Sequence, residues 1–114
     1  MVLELAPNDF EAWFDYAETL YEMKRYDEAL NAYETAIALE PAWPDAHYGR
    51  AKLLYREDNF FEAAVELLIT FRLEPMKVKQ YETEFPTLGK EADFAQMDAV
   101  IRAQMLEAAG EEEE

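Results

Sequence analysis

The sequence predicts an all-α fold, a stack of antiparallel helix pairs with about six helices. Pro7, Pro41 and Pro75 stand 34 residues apart. Small residues recur at the same step, as Ala17 and Ala51 do. A constant period of this size is typical of repeated helical hairpins. Such units bury their apolar faces against neighbouring units rather than in one central core.

The first predicted unit covers residues 8–41. Its first helix runs from Asn8 to Met23, because Asn8 and Glu11 have the spacing of a capping box and the apolar residues recur at three- and four-residue steps. A second helix is predicted from about residue 26 to residue 40. Pro41 follows it, and a proline just past a helix end cannot continue the hydrogen-bond ladder.

The second predicted unit, residues 42–75, repeats this order. Pro44 suits the first turn of a helix, where its missing amide costs nothing, and that helix extends to about Glu57. Asp58 and Asn59 offer caps for the next helix, which continues up to the proline that ends the unit.

The third predicted unit, residues 76–109, is degenerate and serves as a C-terminal cap. Pro86 would fall inside its first helix and remove a backbone donor. A short helix over residues 76–85 is therefore predicted, followed by a loop and a helix over residues 93–109.

One residue of this unit predicts a different packing. Phe94 follows Phe60 by one full period, so the unit keeps its register. Phe85, however, occupies the step at which the first two units have Ala17 and Ala51. A ring cannot replace a methyl group at a close helix contact without rearrangement.

The two ends lie outside the complete units. Residues 1–7 read as the remnant of a preceding repeat or as an N-terminal cap, since Leu3 and Leu5 match Ile37 and Leu39 one period later. Residues 110–114 combine a glycine with four glutamates, which predicts a disordered acidic tail.

The charge of the chain excludes several classes of partner. Its 26 acidic residues against 10 lysines and arginines give a net charge of −16, which repels nucleic acid and anionic membranes. Solubility and a salt-rich cellular environment both remain open as reasons for this acidity. No apolar run is long enough to span a membrane. The absence of cysteine suits a reducing compartment, and we expect a cytoplasmic location.

The composition also argues against an enzyme. The chain has no serine, no cysteine and a single histidine, His47, so the usual nucleophile–base arrangements lack their parts. We expect no catalytic residues, no metal site and no cofactor. His47 stands where the first unit has Trp13, and we interpret it as a packed structural histidine.

The repeated residues resemble the tetratricopeptide repeat family. The first unit matches the pattern of that family with Trp13, Ala17, Leu20, Ala29, Tyr33, Ala36 and Pro41. The second unit matches through Ala51, Leu54, Ala63 and Pro75, and departs from it at His47, Leu67 and Thr70. This resemblance implies that the helix pairs form a right-handed superhelix with a concave face.

The resemblance further implies that a peptide lies along the first helices of the units. Carried over by the 34-residue step, nine residues are expected on this concave face. They are Phe14, Glu18, Tyr21, Glu22, Tyr48, Lys52, Tyr55, Arg56 and Lys79. Beside Lys79, the same step leads to Glu82 of the third unit.

Two alternatives remain open for these residues. Tyr21 and Tyr55 would serve as exposed anchors or would pad the hairpin interface. Lys52 and Arg56 would meet the ligand or would pair with Glu18 and Glu22 across the groove.

One subtype of the family holds the carboxylate of chaperone C-terminal tails with a set of lysines, asparagines and an arginine. Here Phe14, Glu18, Gly49 and Thr83 replace four of those five residues, so this function is not supported. A mixed-charge or apolar peptide fits better, with a basic element near the first unit and an acidic element near Lys52 and Arg56.

The sequence thus predicts a non-catalytic protein–protein interaction module that binds a peptide or partner segment in its groove. The alternative is a structural segment of a larger scaffold, which self-associates weakly as a homo-oligomer through the N-terminal edge at Leu3 and Leu5.

Overall fold

The computed structural model of the protein describes residues 9–89 and 91–112. Over these residues the chain forms six α-helices and one short 3-10 turn at Phe85–Thr87, with no strand. The helices are α1 (Phe10–Glu22), α2 (Tyr26–Leu39), α3 (Pro44–Arg56), α4 (Phe60–Leu73), α5 (Lys77–Glu84) and α6 (Glu91–Glu112). The all-α prediction is confirmed. None of the described helices is both long and apolar enough to cross a membrane.

The turns inside the first two hairpins are copies of one another. Lys24 and Asp58 stand one period apart and both adopt the left-handed conformation, with φ of 63° and 64°. The next residue in each case returns its amide to a leucine carbonyl at 2.9 Å, from Arg25 to Leu20 and from Asn59 to Leu54. The 34-residue period of the sequence is therefore also a period of the backbone.

The start of α1 differs from the predicted cap. The Asp9 side chain accepts a hydrogen bond from the Ala12 amide at 3.0 Å. Asn8, the expected cap, lies outside the described residues, as do Leu3, Leu5 and the rest of the N-terminal remnant. Asn59 precedes α4 without a side-chain capping bond.

The core of the first unit extends into the second. Ala17, Ala29 and Tyr33 are fully buried and pack together with Leu53 of α3. Gly49 of α3 lies against Tyr33, so that a Cβ atom there would come within 2.4 Å of the ring. Close approach of α2 and α3 therefore depends on a residue without a side chain.

The third unit packs differently, as Phe85 predicted. Phe85 is fully buried and its ring lies 5.1 Å from that of Tyr81, which in turn lies 5.5 Å from Phe94. The chain takes a 3-10 turn at Pro86, and α6 packs against α4. The last helix also runs to Glu112, whereas the sequence placed its end near residue 109.

Candidate functional site

The first helices of three successive units line a cavity of about 250 Å³. Helix α1 brings one wall, α3 the floor and α5 the opposite wall. The lining residues are Phe14, Glu18, Asp45, Tyr48, Gly49, Lys52, Lys77 and Gln80. We call this set the groove. Four of the nine residues predicted for the concave face, Phe14, Glu18, Tyr48 and Lys52, belong to it.

Lys52 is the cation at the base of the groove. Its Nζ lies 4.7 Å from the centre of the Tyr21 ring and 5.6 Å from that of Tyr48. It also donates to Glu84 Oε2 at 3.3 Å. An ammonium above two aromatic faces is favourably placed, and these contacts fix it at the point where α1, α3 and α5 meet.

Helix α5 is tethered to α3 by polar contacts along the same wall. Lys77 Nζ lies 2.6 Å from Asp45 Oδ1, and the Tyr48 hydroxyl donates to Glu84 at 2.6 Å. Burial alone would raise the pKa of Glu84, but the hydrogen bond from Tyr48 and the charge of Lys52 hold that pKa below its usual value. Burial and the Glu84 contact together raise the pKa of Tyr48, so the hydroxyl keeps its proton and remains a donor.

The opposite wall combines an acid with aromatic rings. The Tyr33 hydroxyl donates to Glu18 at 2.6 Å, and burial together with this bond raises the pKa of Tyr33. The ring of Phe14 packs 4.5 Å from Trp43 and 5.9 Å from Tyr33. The groove thus carries acidic and basic groups side by side on an aromatic base, in contrast to the acidic excess of the whole chain.

Two further predicted residues, Tyr55 and Arg56, line a separate cavity of about 440 Å³. Its other lining residues are Asp58, Phe60, Leu88, Gly89 and Asp93. Arg56 points back towards α1, since its Nε donates to the Tyr21 hydroxyl at 3.0 Å and its guanidinium lies 4.9 Å from the Tyr26 ring. The other three predicted residues, Tyr21, Glu22 and Lys79, line neither of these two cavities.

The expected exposure of Tyr48 is wrong, and one of the two alternatives for Tyr55 is excluded. Tyr48 is 4% exposed and Tyr55 is 2% exposed, because the third unit packs over α3 with Phe85 against both rings. Tyr55 therefore pads a helix interface, which was one of the two open alternatives, and Tyr21 is half-buried.

The pairing expected across the groove is also different. Lys52 meets Glu84 and Arg56 meets Tyr21, where the sequence suggested Glu18 and Glu22 as partners. Glu18 instead accepts from Tyr33.

Sequence reasoning missed three residues of this region, Lys77, Gln80 and Glu84. The 34-residue step pointed to Lys79 and Glu82, and α5 presents residues two positions earlier. The signal for such an offset was present in Phe85, whose ring cannot occupy the alanine position of the earlier units.

His47 lies outside the groove and is buried, as expected of a structural histidine. Its Nδ1 is 2.8 Å from Glu66 Oε2 and its Nε2 is 2.6 Å from the Pro41 carbonyl. Both neighbours are acceptors, so both ring nitrogens donate when the imidazole is protonated. The Glu66 hydrogen bond, opposed by burial and reinforced by the Pro41 carbonyl, raises the pKa of His47. Glu66 also pairs with Arg50 at 3.1 Å.

The fold and the groove define an α-helical repeat protein in which successive first helices share one surface. Comparison with known families makes this more specific. A family model described as "TPR repeat" matches residues 17–58, and one described as "Tetratricopeptide repeat" matches residues 1–31. The chain is therefore similar to the tetratricopeptide repeat family over residues 1–58.

A curated relative has the same kind of repeat. The chain is 28% identical over 97 residues to the "Tetratricopeptide repeat and J domain-containing co-chaperone" of Cryptococcus neoformans var. grubii. The match covers 85% of this chain and 19% of the co-chaperone. The chain therefore spans about a fifth of that protein's length.

Proposed function

We propose that the protein is a non-catalytic interaction module that holds a segment of a partner protein in the groove. The observation that supports this is the cavity itself, whose walls come from α1, α3 and α5 in turn. A surface built from successive units suits an extended or helical segment that crosses several helices. Repeats of this family mediate protein–protein interaction in general, and the relative described above is by name a co-chaperone.

The charges of the groove suggest what the segment carries. Lys52 and Lys77 already have carboxylate partners in Glu84 and Asp45, so a ligand of one charge sign would leave some of these groups without compensation. A mixed-charge segment with an apolar residue against Phe14 meets the surface better. We further propose a cytoplasmic location, because a chain without cysteine suits a reducing compartment.

Two lysines of α5 provide a matched test. Lys77 lines the groove, while Lys79 is exposed on the same helix and does not. Peptides would first be selected from a displayed random library on the immobilised protein. The affinity of the enriched peptides would then be measured for the wild type, Lys77→Ala, Lys79→Ala and Gln80→Trp, the last of which fills part of the cavity.

We expect Lys77→Ala and Gln80→Trp to weaken binding about tenfold or more, as removal of a central contact does, while Lys79→Ala leaves it within about twofold. Thermal melts of all four proteins would separate lost binding from lost folding. Equal affinity for folded Lys77→Ala, Gln80→Trp and wild type would refute the groove as the binding site. Failure of the library to enrich any peptide would contradict the proposed function.

A further inference from the structure

An exposed apolar ridge runs along the outer face of α4, away from the groove. Phe61, Val65, Ile69 and Leu73 follow one another at four-residue steps, and residues four apart are neighbours on one helix face. Phe61 is 78% exposed, Val65 41% and Leu73 40%, while Ile69 is half-buried. We call these four residues the ridge.

Stacking of the repeats does not require this ridge. One period earlier, at the same positions of α2, the chain has Asp27, Asn31 and Thr35. Asp27 and Asn31 are exposed, and α2 packs into its hairpin nonetheless. Phe61, Val65 and Ile69 therefore have no apolar counterpart in the regular first unit, whereas Leu73 has one in Leu39. The packing of the hairpin does not explain the first three.

Helix α6 continues the apolar surface beside the ridge. One period after the first three ridge residues it has Ala95, Ala99 and Ala103, all exposed, and Leu106 lies close by with 74% exposure. We call these four residues the strip. The inward faces agree with this register, since Met97 and Ile101 are buried as Ala63 and Leu67 are. These inward residues belong to one apolar core, so ridge and strip lie side by side.

The shape of this surface suits a helix. The ridge has bulky side chains and the strip has mostly methyl groups, so the surface between them is bounded by one high and one low side; we call this surface the channel. Helices pack by placing the ridge of one into the groove of another, and small side chains allow the axes to approach closely. The strip carries no charge along its length, because Asp98 and Arg102 of α6 turn towards α5, to Tyr81 and Glu82.

The charges around the channel select the partner. Asp58 and Glu62 are exposed at the Phe61 end, and Asp93 of α6 lines a cavity together with Asp58. A second copy of this chain would bring its own net charge of −16 against these carboxylates, which is unfavourable. A basic partner would be attracted to them and oriented by them.

We propose that the channel between the ridge and the strip binds an amphipathic helix of a partner protein, with basic residues at the end that lies next to Asp58 and Glu62. Its apolar face packs on Phe61, Val65 and the strip. This surface is on a different set of helices from the groove, so its occupation does not depend on what the groove binds.

Designed peptides test the proposal. The first is a helical peptide of about 18 residues, long enough for measurable helicity, with leucines along one face and lysines flanking one end. The second has glutamine in place of each leucine and keeps every lysine. Fluorescence anisotropy at about 0.15 M salt, where long-range charge effects are screened, would give both affinities. We expect the leucine peptide to bind the wild type about tenfold or more tightly than the glutamine peptide.

The double variant Phe61→Asp, Val65→Asn gives α4 the residues that α2 has at the equivalent positions, Asp27 and Asn31. It adds a negative charge, so binding that depended on charge alone would become tighter. The proposal requires the opposite, a loss of about tenfold or more, while Lys77→Ala in the groove leaves the affinity unchanged. Circular dichroism melts would establish that the variant is folded, as its exposed positions lead us to expect.

Three results would overturn the proposal. The first is equal binding of the two peptides to the wild type, and the second is unchanged or tighter binding by the folded double variant. The third is a wild-type dimer in sedimentation equilibrium that the double variant abolishes, because a second copy would then occupy the channel.

Discussion

The two junctions between repeat units are built in different ways. At the first junction Tyr33 of α2 lies against Gly49 of α3, and the helices approach closely because glycine offers no Cβ atom. At the second junction the corresponding residues are Leu67 and Thr83, and an aromatic cluster takes over. Tyr81 and Phe85 pack there with Tyr48, Tyr55, Phe71 and Phe94.

This difference shows that a helical repeat can keep its period while changing the contact that joins its units. The contact of the Tyr33 ring with Gly49 holds α2 and α3 at a short distance. At the second junction, the aromatic cluster holds α5 and α6 through their side chains. The first junction is therefore sensitive to added volume, and the second to removed volume.

The largest effect is expected from Phe85→Ala, which empties the centre of the ring cluster. Removal of a buried phenylalanine costs about 3–5 kcal/mol, and Phe85 is fully buried. Urea unfolding would measure the loss, and hydrogen exchange should locate it in α5 and α6 while α1 and α2 keep their protection. Phe61→Ala, at an exposed ring, is the control and should change stability by less than about 0.5 kcal/mol. Equal losses in the two variants would contradict the comparison.

The next largest effect is expected from Gly49→Ala, which tests the first junction. In an exposed helix interior this change stabilises by about 1 kcal/mol. Here the new methyl group would lie 2.4 Å from the buried Tyr33 ring, so we expect a net loss of about 1–3 kcal/mol. Urea unfolding of Gly49→Ala, Tyr33→Leu and the double variant would give the coupling between the two sites. Additive losses would mean that the methyl group added by Gly49→Ala does not clash with the Tyr33 ring.

A smaller effect concerns pH and the histidine that only the second unit has. The pKa of His47 is raised in the folded protein. Its contribution to the free energy of unfolding is therefore complete below the unfolded pKa of about 6.5 and is lost as pH rises through the folded pKa. Glu66 contacts His47 directly, and Arg50 contacts Glu66 and opposes the raised pKa of His47 through its charge. Arg50 also lies 3.8 Å from Glu34 and 3.9 Å from Glu62.

We expect the free energy of unfolding to fall by about 1 kcal/mol, the net value of one hydrogen bond, as pH rises above about 6.5 and through the raised folded pKa. His47→Gln should remove most of this slope. An unchanged slope in the folded variant would assign the pH dependence to other groups.

The smallest effect should be a gain. Lys24 and Asp58 both adopt a left-handed conformation that costs most residues about 1 kcal/mol and glycine nothing. Lys24→Gly should raise the melting temperature, and Asp58→Gly should raise it less, because aspartate tolerates this conformation better than lysine. A lower melting temperature in Lys24→Gly would show that the lysine side chain stabilises the turn by more than its backbone costs.

The first four helices were predictable because their signals are local. Pro44 at a helix start and Pro41 after a helix end act within a turn or two of the chain, and α2 and α3 begin and end within a residue or so of the predicted limits. The length of α6 was less predictable, since Gly110 does not end it.

The groove was only partly predictable, because it depends on how α5 is seated. The burial of Tyr48 and Tyr55 follows from contacts with Phe85, which is distant in sequence from both. The same seating brings Lys77 and Gln80 into the groove in place of Lys79 and Glu82. A repeat period predicts which residues are equivalent, but it does not predict a helix that departs from the period.

The contact between Glu84 and Lys52 has a consequence for the selectivity of the binding that we propose for the groove. Since Glu84 already accepts from Lys52 and Tyr48, an acidic residue of an incoming segment competes with a carboxylate that is tethered in place. The binding free energy gained is only the difference between the contact of Lys52 with the ligand carboxylate and its contact with Glu84. This small difference limits how strongly the protein discriminates acidic from neutral sequences. Exchange of this one glutamate for glutamine would remove the internal competitor and convert a permissive surface into one that prefers acids.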